Sequence, residues 1–180
     1  MSLPWRLVVV HDARARPGPV DDLVRVALGE LGAGASGEVR HHCPSCGSSD
    51  HGRPLLHGVA GDRQIHLSVA RCPGQSVVAL TDAGPLGVDV ERSGSARPQD
   101  VDQVIGSGPG DATRRWVRAE ACLKFTGRGF SRPAAPVAGR AWMSDLDVGE
   151  GFEAAVVVLA AAATEPELVV IQAAVATPSR

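Results

Sequence analysis

Apolar and polar positions alternate with a period of two in several short stretches of the chain. Leu86, Val88 and Val90 alternate with Gly87, Asp89 and Glu91, while Ile65, Leu67 and Val69 alternate with His66, Ser68 and Ala70, so strands are predicted over Leu86 to Glu91 and Gln64 to Arg71. The unbroken apolar run Leu7 to Val10 predicts a buried first strand, and Val77 to Leu80, Arg140 to Met143, Gly151 to Leu159 and Leu168 to Ala173 predict four more. A period near 3.6 appears elsewhere. Leu23, Val24, Ala27, Leu28 and Leu31 form one face of a helix that Asp21 is placed to cap and that Gly32-Ala33-Gly34 ends. Val101 to Ile105 fits a short helix, and Trp116 to Phe125, free of Gly and Pro, predicts a longer one stopped by Gly127. Ser131 to Pro136 is a Pro/Ala loop.

The order of these elements is a strand, a helix and a three-stranded meander, then a Ser/Gly/Pro linker, then a helix-plus-sheet unit. The expected organisation is a half over residues 1–92 and a half over 99–180, joined by 93–98, which can also be counted as one domain. A length of 180 residues with 44% hydrophobic content is enough for a substantial core. The net charge of −2 gives no general attraction to nucleic acid or anionic membranes, and 3% aromatics with no tyrosine leaves no stacking platform for single strands. The apolar runs Leu7 to Val10 and Ala154 to Ala163 are too short to span a bilayer, so a cytoplasmic protein is expected, with no membrane or nucleic-acid partner.

Chemistry concentrates in two of the predicted elements. On the acidic strand Asp89 and Glu91 project to the same face, roughly 7 Å apart, and two such acids can grip one hard cation. On the longer helix Trp116, Glu120 and Lys124 fall at i, i+4 and i+8, which lines an aromatic, a carboxylate and an ammonium along one face. Glu120 can supply a third oxygen donor. Three carboxylates beside one lysine repel one another when empty and balance when Mg²⁺ and a phosphate fill the space between them.

Gly87-Val88-Asp89-Val90-Glu91 followed by Trp116-x-x-x-Glu120-Ala121-x-x-Lys124-x-x-Gly127-x-Gly129 resembles the paired signature of the 4′-phosphopantetheinyl transferases of the Sfp type. Two further segments agree: His51-Gly52-Arg53-Pro54 is similar to the family's coenzyme A contact, and Leu146 to Val156 to its closing hairpin. The match runs from about Arg40 to Val158. The resemblance implies an α+β fold, a pseudo-two-fold pair of small α/β subdomains with a coenzyme A cleft between them. It also implies a holo-[acyl-carrier-protein] synthase type of activity, moving phosphopantetheine from coenzyme A to a serine of an apo acyl- or peptidyl-carrier protein and releasing 3′,5′-ADP. By the same resemblance Asp89, Glu91 and Glu120 hold Mg²⁺, Glu120 and Lys124 are catalytic, and Arg53, Pro54, His66, Ser68 and Lys124 contact coenzyme A. A monomer is expected.

The chain departs from the family pattern at identifiable positions. Val69 stands where a histidine usually meets a coenzyme A phosphate, and His66, two residues before Ser68 and on the same side of the strand, is placed to substitute for it. Ala119 stands where a lysine is usual, with Arg118 one place earlier on a different face. The N-terminal region and the stretch between the acidic strand and the Trp helix are short. These departures also suit a rival, a non-catalytic coenzyme A or carrier-protein binding module on the same scaffold. Cys43-Pro44-Ser45-Cys46 with His41, His42 and His51 nearby has the spacing of a zinc knuckle, the basis of a third reading as a zinc-binding interaction domain. No second, well-separated ligand pair accompanies it, and four ligands in so short a loop would be strained, so Cys43 and Cys46 are expected to remain thiols. Cys72 and Cys122 read as small core residues.

Overall fold

The computed structural model describes residues 5–14, 18–34, 36–43, 46–59, 63–126, 141–159 and 165–173. Gly127, Gly129 and the Ser131 to Pro136 loop lie outside the described residues, as do 160–163 of the second apolar run.

The protein is a mixed α+β structure. Nine strands and three helices are described, in the order β1 (Arg6–Asp12), α1 (Val20–Glu30), β2 (Glu38–His42), β3 (Arg53–His57), β4 (His66–Cys72), β5 (Gln75–Thr81), β6 (Leu86–Arg92), α2 (Pro98–Ile105), α3 (Ala112–Thr126), β7 (Ala141–Leu146), β8 (Phe152–Leu159) and β9 (Glu167–Gln172). They form a four-stranded sheet in the order β4-β5-β1-β9, a three-stranded sheet β6-β8-β7, and a separate hairpin β2-β3.

The alternation along each strand sorts its side chains between two cores. On β1, Leu7 and Val9 point toward the three-stranded sheet, where they meet Val77 and Ala79 of β5, Leu86, Val88 and Val90 of β6, and Ala154, Val156 and Val158 of β8. Val8 and Val10, one residue out of step, face α1 and pack on Leu23, Val24, Ala27 and Leu28. The two sheets therefore lie face to face, with α1 on the outside of one. On the outside of the other, Val117 and Ala121 of α3 pack on Ala155 and Val157 of β8. The layers run helix, sheet, sheet, helix, each sheet burying both faces, which is why β5 and most of β8 are buried at every position. Trp5 and Trp142 meet edge to face at 5.8 Å across the same boundary.

Four features differ from the sequence expectations. The meander is broken after β5: β6 pairs with β8, not β5, from Leu86↔Val158 to Arg92↔Phe152. The turn before it presses against β8, since Pro85 accepts the Leu159 amide at 2.9 Å and a Cβ on Gly84 would strike the Leu159 carbonyl. Conversely β9 leaves the second half and pairs in parallel with β1. The two halves thus exchange strands. In addition, α1 starts at Val20 on a Pro19 cap, so Asp21 lies in its first turn and is not the cap. Finally α3 starts a turn before Trp116, because Asp111 accepts the Arg114 amide at 2.9 Å and so caps it.

Candidate active site

The outer face of β6 carries Gly87, Asp89 and Glu91 toward α3, and glycine at the first of these sets the distance between the two elements. A Cβ on Gly87 would fall on the Ala121 carbonyl and the Phe125 amide, both backbone atoms of α3. Only a residue without a side chain lets the helix lie so close to the strand. The helix then places Glu120 and Lys124, which flank Ala121, beside the two acids.

Lys124 Nζ donates to Asp89 Oδ1 at 2.7 Å and reaches the Val69 carbonyl at 3.5 Å. The other Asp89 oxygen, Oδ2, is buried and has no hydrogen-bond partner among the described residues. Burial raises the Asp89 pKa above the usual carboxylate value, and the adjacent Lys124 ammonium only partly opposes it. Glu91 is raised by burial and then by the Asp89 charge. Glu120, half-buried, is raised by burial, then by Asp89 and to a lesser degree by Glu91, with Lys124 opposing. Three acids raised by burial, two of them also by Asp89, thus share a single ammonium.

An unpartnered buried carboxylate oxygen beside two destabilised carboxylates fits an oxygen-liganded divalent cation. The three do not have donor atoms gathered within 4.8 Å of one another; among the described residues Cys43, Cys46 and His51 form such a group. Glu91 and Glu120 therefore have to swing in to share one ion with Asp89, while Lys124 already holds Oδ1.

One cleft reaches this cluster at Lys124, and a second shares Pro54 with the first. The first, of about 580 Å³, is lined by Lys124, Val69, Arg71, His41, Gly52 and Pro54. The other, of about 590 Å³, is lined by Arg53, Pro54, Arg63, His66 and Pro85 among others. The predicted set is thereby divided. Pro54 and Lys124 share the first cleft, while Arg53 and His66 share the second, where burial and then the Arg53 charge lower the His66 pKa. Ser68 lines neither. It is buried, and its hydroxyl oxygen accepts the Val88 amide at 3.0 Å, joining β4 of one sheet to β6 of the other. Arg118, beside the Ala119 position, forms a two-pronged pair with Asp145 at 2.7 Å on each arm and so points away from Lys124's partners.

Sequence reasoning missed Gly87, Arg71 and His41 as parts of the site. The signal for Gly87 was available, since a glycine between Leu86 and Val88 in a strand marks close backbone approach. For Arg71 and His41 nothing along the chain placed β2 and the end of β4 around Lys124. No protein-family model matches the chain, and no curated protein does.

Proposed function

We propose that this protein is a Mg²⁺-dependent 4′-phosphopantetheinyl transferase of the Sfp type, built on a pseudo-two-fold pair of α/β subdomains, that modifies a serine of an apo acyl- or peptidyl-carrier protein. The observation that carries this reading is the Asp89/Glu91/Glu120/Lys124 cluster, with Asp89 Oδ2 unpartnered among the described residues and Lys124 lining a cleft walled by Gly52 and Pro54. Asp89, Glu91 and Glu120 would hold the cation. When bound, Mg²⁺ neutralises pyrophosphate oxygens and stabilises the charge that develops on the departing 3′,5′-ADP.

The chain's own groups do the rest. Lys124, held by Asp89 and lining the cleft, neutralises phosphate at the reacting centre. Glu120, on α3 beside Asp89, takes the proton of the carrier serine. Arg53 and His66 line the adjoining cleft, where the guanidinium matches the phosphates of the nucleotide end.

The deciding experiment incubates the protein with coenzyme A, Mg²⁺ and a panel of apo carrier proteins and reads intact mass. At least one carrier should gain a phosphopantetheine, EDTA should stop the gain, and Asp89→Ala, Glu91→Ala or Glu120→Ala should each abolish it in a folded protein. Near-normal transfer by any of the three sinks the metal assignment. A second reading, a non-catalytic coenzyme A or carrier-binding module, is favoured by one observation: Ser68 is committed to the Val88 amide and Val69, not histidine, lines the cleft. Coenzyme A binding by calorimetry with no mass gain on any carrier selects that reading.

A further inference from the structure

The loop between β2 and β3 gathers three soft donors that the proposed chemistry does not use. The side-chain donors of Cys43, Cys46 and His51 all lie within 4.8 Å of one another, and Cys46 Sγ is 3.3 Å from His51 Nε2. All four cysteines of the chain are reduced. The sequence suggested a loop too cramped for ligands, and two glycines are what make it possible. Gly47, at φ 72°, donates its amide to the Cys43 carbonyl at 2.8 Å, while the Cys43 amide donates to the Ser48 carbonyl at 3.0 Å, so Gly47 and Ser48 lie back against Cys43. Gly52, at φ 103°, passes so close to His42 and Cys43 that a Cβ there would strike the His42 carbonyl. That crossing brings His51 back over Cys43. His41 and His42 stay outside the group, so the set is Cys₂His and not the four-ligand site the spacing allowed.

We infer that Cys43, Cys46 and His51 bind one zinc ion, which fastens the β2-β3 hairpin. Two thiolates and an imidazole suit a borderline-soft tetrahedral cation and not Mg²⁺ or Ca²⁺, and a water or a ligand completes the fourth position. Binding replaces the two thiol protons, which leave to solvent. The hairpin needs such a fastening. It is a separate two-stranded sheet, largely exposed, anchored to the α1 core through Val39 and Leu56, and an isolated hairpin is marginal in water. It also carries Gly52, Arg53 and Pro54, which wall both clefts, so the ion sets the position of those walls from their far side.

The test uses the full chain purified without chelator from zinc-supplemented cells. Elemental analysis should find one zinc per chain, released when the thiols are blocked. Cys43→Ser, Cys46→Ser and His51→Ala should lose it, and Cys72→Ser and Cys122→Ser should keep it. Because a ligand variant can lose the hairpin altogether, Co²⁺ is also added to the metal-free wild type, where thiolate-to-cobalt charge transfer and intense tetrahedral bands should appear; Cys46→His should retain the ion with half the charge-transfer intensity. Hydrogen exchange should show 38–57 losing protection on zinc removal while β1 and β8 do not change. A zinc-free wild type with no cobalt charge transfer, zinc retained in full by Cys43→Ser, or unchanged exchange in the hairpin on zinc removal each overturns the inference.

Discussion

At the scale of single residues, the acidic cluster holds a store of unfavourable charge. The pKa values of Asp89, Glu91 and Glu120 are all raised above their ordinary values of 3.8, 4.5 and 4.5, so folding favours their protonated forms. The cost of the cluster is therefore absent in acid below those ordinary values. It grows as pH rises above them and is fully present only above the raised folded values when no cation is bound. Removing a charge should relieve it. Glu91→Gln and Glu120→Gln are expected to melt higher than wild type in EDTA at pH 7, each kcal/mol gained moving Tm by about 2–4 °C in a chain of this size. The same variants should lose Mg²⁺-dependent transfer, a trade of stability for function. A lower melting temperature in EDTA for both would show that the two glutamates are stabilising surface charges. Asp89 is a different case, because its partner Lys124 would be left beside a cavity by truncation, so no gain is expected there.

Among the elements, the closest contact is between β6 and α3, and it rests on the absence of one methyl group. Gly87→Ala should force the helix away from the strand, costing about 1–3 kcal/mol by overpacking and removing activity out of proportion, since Glu120 and Lys124 move with α3 while Asp89 and Glu91 stay on β6. Urea unfolding and the carrier-mass assay together check this; an alanine variant with wild-type turnover would mean that the spacing does not matter. Ser68→Ala leaves the buried Val88 amide without its acceptor and should cost about 1–3 kcal/mol with little direct effect at the cleft. These elements differ in how far the sequence revealed them. β1, β4, β5, β6 and β8 were legible because burial on a sheet face imposes a period of two or an unbroken apolar run. β2 and β3 were not, since Glu38-Val39-Arg40-His41-His42 is mostly polar and Pro54 reads as a turn residue, although an edge strand tolerates it. The acids and Lys124 were legible as a set because their spacing on a strand and a helix is regular. What brings the hairpin's Gly52 and Pro54 to them is tertiary packing, which leaves no local pattern.

The whole molecule is held together across its two facing sheets by a few polar contacts within an apolar interior. Buried Gln75 at the start of β5 donates through Nε2 to the Val148 carbonyl of the β7-β8 turn at 2.7 Å and lies 3.3 Å from His11 Nδ1. An amide nitrogen only donates, so this bridge requires Nδ1 of His11 to be an acceptor and the ring to be neutral. Burial lowers the His11 pKa, with Asp147 and Asp12 opposing. Stability from this group is present above its ordinary value of 6.5 and is lost as pH falls from there toward the lowered folded value. Melting temperatures measured from pH 8 to pH 5 should fall on the acid side, and His11→Gln should flatten that fall; His66, lowered in the same direction, leaves a residual slope in the variant. Because relief of the acidic cluster opposes the fall, the comparison is with the variant: a wild-type and a His11→Gln profile of the same shape would remove His11 from the account. The parallel pairing of β1 with β9, Arg6↔Glu167 through His11↔Gln172, has a consequence in time. Strand β1, inside the four-stranded sheet, is made some 160 residues before its neighbour β9, with the other described elements emerging between them. Closing so long a loop adds little to the entropy cost, because each doubling of length costs only about 0.6 kcal/mol. It does mean that β1 waits on the ribosome with one edge unpaired, its Leu-Val-Val-Val run open to any other strand that reaches it first.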